Sequence, residues 1–168
     1  MRVIAGKHKS KALASLEGRY TRPTMDKVKE GIFNSLHDVS GIGLDLFAGS
    51  GALGIEALSR GMEKVIFVDQ NFKAVKVIKS NLNQLDLMSQ AEVYKNNADR
   101  ALKALAKREI QFDIILLDPP YKKGLIDEAI ERISEFNLLK ENGIIVCEFS
   151  NHEDIKYEPF QVIKRYHY

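Results

Sequence analysis

Cysteine is almost absent from this sequence: Cys147 stands alone, inside the apolar run Ile144-Ile145-Val146-Cys147. A single thiol excludes a disulfide framework and a cysteine-built metal cluster, so no metal is expected, and the position reads as a buried, inert thiol in a reducing compartment. Long hydrophobic runs are missing too. Nothing approaches the roughly 20 apolar residues of a membrane span. No secretory signal is visible, and a cytoplasmic protein is expected. Internal repeats, low-complexity tracts and domain linkers are also lacking. The 168 residues therefore read as a single domain, 1–168, with one sizeable core. What is present is ordinary for a globular chain, with 45% hydrophobic and 29% charged residues.

Charge is scarce in net terms, at +2, but it is unevenly spread. Residues 1–30 hold eight basic side chains (Arg2, Lys7, Lys9, Lys11, Arg19, Arg22, Lys27, Lys29) against three acidic ones (Glu17, Asp26, Glu30), a local excess of +5. The remainder is left at −3. A basic arm on a neutral body favours a polyanionic partner over a merely solvated face.

The middle of the chain alternates strand and helix. Apolar runs at 44–48, 65–69, 91–96, 112–118 and 144–149 read as strands. Helical stripes lie between them: from Ala52, over 71–85, up to Lys107, and near 126–136. Strict alternation predicts an α/β fold, a mostly parallel sheet with helices on both faces. Ahead of it, residues 1–16 suggest a short, basic-tipped β-hairpin. Thr24 is a candidate N-cap for a helix carrying Val28, Ile32, Phe33 and Leu36. Residues 160–166 read as a further strand that lacks a partner before the chain stops, so the last strand of the sheet is expected to be missing. The division is then an arm, 1–23, and a core, 24–168.

Two stretches carry the chemistry. In Asp45-Leu46-Phe47-Ala48-Gly49-Ser50-Gly51-Ala52-Leu53-Gly54, a strand passes through a glycine turn into a helix start. Its free N–H groups suit a polar cofactor there. The glycines also fit the dinucleotide fingerprint, with Asp69 at about the right distance. Asp45 fits that fingerprint poorly, because a pyrophosphate gains nothing from an acid in the strand; an aminoacyl sulfonium cofactor would supply its cation. Asp69 can accept from both ribose hydroxyls. Asn97, Ala98 and Asp99 either meet an adenine edge or cap the next helix. The second stretch, Asp118-Pro119-Pro120-Tyr121, ends a later strand. The Asp118 carboxylate and the Pro119 carbonyl can accept the two hydrogens of a planar amine, Pro120 has no N–H to compete, and Tyr121 can stack on the base. Methyl transfer to such an amine depends on alignment and electrostatics.

These stretches, with Arg2-Val3-Ile4-Ala5-Gly6-Lys7 and Thr21-Arg22-Pro23-Thr24, resemble the RsmD-type family over nearly the whole chain. Those proteins are bacterial S-adenosylmethionine-dependent methyltransferases of guanine N2 in 16S ribosomal RNA. The resemblance implies a Rossmann-like methyltransferase fold and S-adenosylmethionine bound by Asp45, Phe47, Ala48, Gly49, Ser50, Gly51, Asp69, Gln70, Asn97, Ala98 and Asp99. It implies catalysis at Asp118, Pro119, Pro120 and Tyr121. It also implies RNA contacts from Arg2, Lys7, Lys9, Lys11, Arg22 and Thr24, and as partner ribosomal RNA or an assembling small subunit, with no membrane. Other readings of the same residues stay open: methylation of adenine N6 or of a glutamine amide, a nicotinamide oxidoreductase, or an RNA-binding assembly factor without chemistry.

Overall fold

The computed structural model describes residues 1–16, 23–36, 38–120, 124–149 and 153–167. The elements in chain order are α1 (Pro23–Asn34), β1 (Ile42–Asp45), α2 (Ala52–Arg60), β2 (Lys64–Asp69), α3 (Phe72–Gln84), β3 (Ala91–Lys95), α4 (Ala98–Lys107), β4 (Phe112–Leu117), α5 (Leu125–Glu135) and β5 (Leu139–Cys147). The strands make one parallel sheet in the order β3-β2-β1-β4-β5. This is the expected α/β architecture, and its cause is visible in β2. Val65 and Phe67 pack with Ile55, Ile78 and Leu82 of α2 and α3. Ile66 and Val68 pack with Leu102, Leu105, Ile126 and Ile130 of α4 and α5. Alternating side chains thus feed two cores, so the strand must be apolar throughout. Each such side chain fully withdrawn from water contributes roughly 1.5–3 kcal/mol.

The hairpin forms as one antiparallel bridge, Arg2 with Ala12. Val3 N–H donates to the Lys11 carbonyl at 2.9 Å, and Ser10 N–H to the Val3 carbonyl at 2.8 Å.

Four expectations need correction. β1 ends at Asp45 instead of running over 44–48, and it starts earlier, at Ile42. Beyond Asp45 the chain bends toward the glycine turn but stays tied to its neighbours, with Leu46 N–H on the Leu116 carbonyl (3.2 Å) and Ala48 N–H on the Val68 carbonyl (3.0 Å). β5 begins at Leu139, not at residue 144, and ends at Cys147. A register shift beside Phe112 and a positive φ of 68° at Asn142 let the strand absorb the Asn142-Gly143 turn. α1 opens at Pro23, so Thr24 lies inside its first turn instead of capping it; proline suits the first helical position. Residues 160–166 form no strand, and Val162, Ile163 and Tyr166 are exposed. β-propensity does not make a strand without a ladder to join.

Candidate active site

In a parallel sheet every carboxyl end lies along the same edge. The connection that leaves β1 runs to β2 on one side, whereas the one that leaves its other neighbour, β4, runs to β5 on the other, which opens a crevice between the ends of β1 and β4. Asp45, the last residue of β1, sits at that point and is 1% exposed. Its Oδ2 accepts the Gly54 N–H at 3.0 Å. That donor lies in the first turn of α2, where N–H groups have no intrahelical partner. Gly51 caps the helix with φ 84°, and Gly49 has φ 58°. Gly54 has a different job: a Cβ there would stand 2.3 Å from the Phe67 ring. Only glycine lets α2 lie close enough to the sheet for its N–H to reach Asp45. Burial pushes the Asp45 carboxyl up to about 7, against the pull of the Gly54 N–H and with help from the charge of Asp69.

Asp69 closes β2 and fastens the turn. Its Oδ2 accepts Gly49 N–H at 2.9 Å, and its Oδ1 accepts Asn71 N–H at 2.8 Å. Each carboxylate oxygen keeps a second lone pair, so Asp69 can still accept from a diol. Gln70 beside it is exposed. Asn97 caps α4, its side chain accepting Arg100 N–H at 2.9 Å. The exposed Asp99 pairs with Lys103 (3.1 Å) and Arg132 (2.9 Å), which hold its carboxyl below the usual value. Of the two readings of 97–99, helix capping is the one these contacts express.

Asp118 follows β4 directly and is half-buried; Pro119 is buried and Pro120 exposed. Tyr121 lies outside the described residues, as do Arg22 and the side chain of Thr24. Asp45, Phe47, Ala48, Gly49 and Ser50 share one cleft with Asp118. Gly51, Asp69, Gln70 and 97–99 are not part of its lining. The lining also includes a residue that sequence reasoning missed, Glu148. Its signal was an acid at the end of the apolar run Ile144-Ile145-Val146-Cys147, but the misplaced end of β5 put it inside the strand.

The basic arm also lines the cleft, through Met1, Ser15 and Leu16. Arg2, Lys7, Lys9 and Lys11 are exposed, while the backbone between them is fastened down. Glu56, fully buried on α2, accepts Ile4 N–H (2.9 Å) and Ala5 N–H (3.1 Å) and pairs with Arg60 (2.8 Å) and Lys29 (3.5 Å). Burial lowers the Lys29 pKa despite Glu56 and Asp26, and Lys29 Nζ also donates to the Arg2 carbonyl at 2.8 Å. Ser59 Oγ accepts His8 N–H at 2.9 Å. Burial, then Lys11 and Lys7, hold the His8 ring below its ordinary pKa. The buried Asn81 of α3 accepts Ala14 N–H (2.8 Å) and donates to the carbonyls of Ala14 and Ser50, each at 3.0 Å. Arm and glycine turn thus share one clasp.

The Cys147 thiol is half-buried, and burial pushes it up to about 12, so it is no nucleophile. No helix among the described residues is long and apolar enough to cross a membrane, and none of their His, Cys, Asp or Glu side chains group as a metal site.

A family model described as Conserved hypothetical protein 95 matches residues 1–167. A Bacillus subtilis protein named Putative rRNA methyltransferase YlbH is 55% identical over 150 residues, 88% of this chain and 82% of that protein. The Haemophilus influenzae Ribosomal RNA small subunit methyltransferase D is 40% identical over 151 residues, 88% of this chain and 78% of that one. Among solved structures, a putative methyltransferase YhhF from Escherichia coli superposes with a TM-score of 0.75 at 29% identity, covering 86% of this chain and 78% of its own.

Proposed function

This chain belongs to the Conserved hypothetical protein 95 family, the RsmD-type methyltransferases, and from that premise we propose that it methylates the exocyclic N2 amine of a guanine in 16S ribosomal RNA with S-adenosylmethionine. The observation that carries the reading is the shared cleft: a buried acid at the end of β1 and a second acid, Asp118, followed by buried Pro119 at the end of β4. The residues present fit the cofactor. Asp45 is a buried carboxyl held near neutrality, and a cationic ammonium would stabilise its ionised form. Gly49 and Ser50 bring the backbone of the turn to the cleft, and Asp69 retains acceptor capacity for ribose hydroxyls. When bound, S-adenosylmethionine supplies an electrophilic methyl group on a sulfonium.

The rest of the work falls to the chain. Asp118 and the Pro119 carbonyl accept the two amine hydrogens and turn the nitrogen lone pair toward the methyl position. Tyr121 stacks on the base and holds it out of its helix. Arg2, Lys7, Lys9 and Lys11, with Arg22 and Thr24, hold phosphates and position the RNA without reading it. Catalysis here is alignment and charge placement, with no activated nucleophile. We read residues 1–168 as one methyltransferase domain, arm 1–23 and core 24–168, acting in a bacterial cytoplasm on ribosomal RNA or an assembling small subunit.

The test is to incubate the protein with labelled S-adenosylmethionine and small-subunit RNA or precursor subunits, then digest to nucleosides. N2-methylguanosine is expected. N6-methyladenosine would move the reading to the adenine alternative, and cofactor binding without transfer to any RNA would overturn it.

A further inference from the structure

Asp118 and Pro119 explain how an amine is held, but they do not explain which base carries it. Guanine and adenine both present an exocyclic amine. They differ at the neighbouring ring nitrogen: N1 of guanine bears a hydrogen and donates, whereas N1 of adenine is a bare lone pair and accepts. Selecting guanine therefore needs an acceptor beside the amine site.

Glu148 stands there. Leu117 pairs with Cys147 across β4 and β5, so Asp118 and Glu148 are the next residues to leave two adjacent parallel strands. Glu148 N–H donates to the Leu117 carbonyl at 2.9 Å, which fixes its backbone beside Asp118. Both residues are half-buried, and both line the cleft. The other charged residues of that lining are committed or stand on an element outside the sheet. Asp45 holds Gly54 N–H. Lys29 is spent on the Arg2 carbonyl and on Glu56. Asp26 belongs to α1, an element outside the sheet.

We propose that Glu148 is the guanine-selecting residue, its carboxylate accepting N1–H while Asp118 and the Pro119 carbonyl hold the N2 amine. This rests on the guanine-N2 reading above. A carboxylate at this position attracts N1–H and repels a bare N1, so it raises the rate on guanine and lowers it on adenine-like bases. One more acid turns an amine site into a guanine site.

2-Aminopurine is the probe, because it keeps the N2 amine and lacks the N1 hydrogen. Once the methylated guanine has been mapped, small-subunit RNA is rebuilt with guanine or 2-aminopurine at that position. Single-turnover methylation is then measured for wild type, Glu148→Gln and Glu148→Ala at saturating cofactor. Wild type should favour guanine by roughly 10- to 100-fold, the discrimination expected of one good base contact. Glu148→Ala should bring the ratio down toward one, mainly by slowing guanine. Glu148→Gln should fall between, since its amide oxygen still accepts. A purely structural role would slow both bases together and leave the ratio unchanged, which overturns the proposal. Equal wild-type rates on the two bases overturn it with no variant at all, and that result stands even if Glu148→Ala does not fold. A wild-type protein that methylates no guanine N2 removes the guanine reading and this selection with it, an outcome visible before any variant is made.

Discussion

With its carboxyl at about 7, Asp45 carries a proton for part of the time at neutral pH, whereas an ordinary aspartate, at 3.8, does not. A folded-state pKa above the unfolded one contributes stability that is full below about pH 4 and is lost as pH rises through 7. The shift corresponds to about 4 kcal/mol in the protein without its ligand. Asp45→Asn should therefore flatten the stability profile between pH 4 and 7 in urea titrations; a profile as steep as wild type would place the titration elsewhere. Cofactor affinity has the opposite sign. It should rise with pH up to about 7 in wild type and lose that dependence in Asp45→Asn, as calorimetry on either side of that pH would show. At Asp118, removing an acceptor that acts mainly in the transition state should cut turnover by roughly a hundredfold or more. Asp118→Asn, whose oxygen still accepts, should retain more activity than Asp118→Ala, and wild-type turnover in Asp118→Ala would exclude the site. Asp45 was legible in the sequence as an anomaly. Its donor was not, because nothing in the spacing announces that a helix N–H nine residues on will reach back. Glu148 was missed for a related reason: where β5 leaves the sheet depends on a register shift opposite Phe112, and register is a tertiary fact.

Among the elements, β2, β3, β4 and the helices after β1 were readable to within about a residue, because two-sided burial and one-sided stripes leave different periodicities. The arm was readable only as charge. Its docking depends on side chains from α2 and α3 whose partners lie 51 to 67 residues away, a separation at which local pattern is silent. Asn81 is the clearest case. An asparagine within a helix is unfavourable by propensity, yet here all its amide hydrogens and its oxygen are used. Asn81→Leu should destabilise the fold by roughly 1–3 kcal/mol through the unpaired Ser50 and Ala14 groups. It should also speed tryptic cleavage at Lys7, Lys9 and Lys11. A destabilisation below a few tenths of a kcal/mol would mean that water replaces the clasp.

For the whole molecule, the local excess of +5 in residues 1–30 predicts a salt-dependent encounter with RNA. Neutral replacement of Lys7, Lys9 and Lys11 should lower the slope of log affinity against log salt by about 0.7–0.9 for each phosphate that is no longer neutralised, with cofactor binding unchanged; an unaltered slope would make the arm a solvated surface. The same arm has a history within each synthesis of the chain. Residues 1–16 leave the ribosome before Glu56, Ser59 and Asn81, which hold them and follow as many as 67 positions later. At roughly 5–20 residues per second, the basic segment waits several seconds with nothing to dock on. A nascent chain stalled before Asn81 would therefore display its lysines on a loose tether even with the glycine turn already made. The arm is translated before every side chain that fastens it.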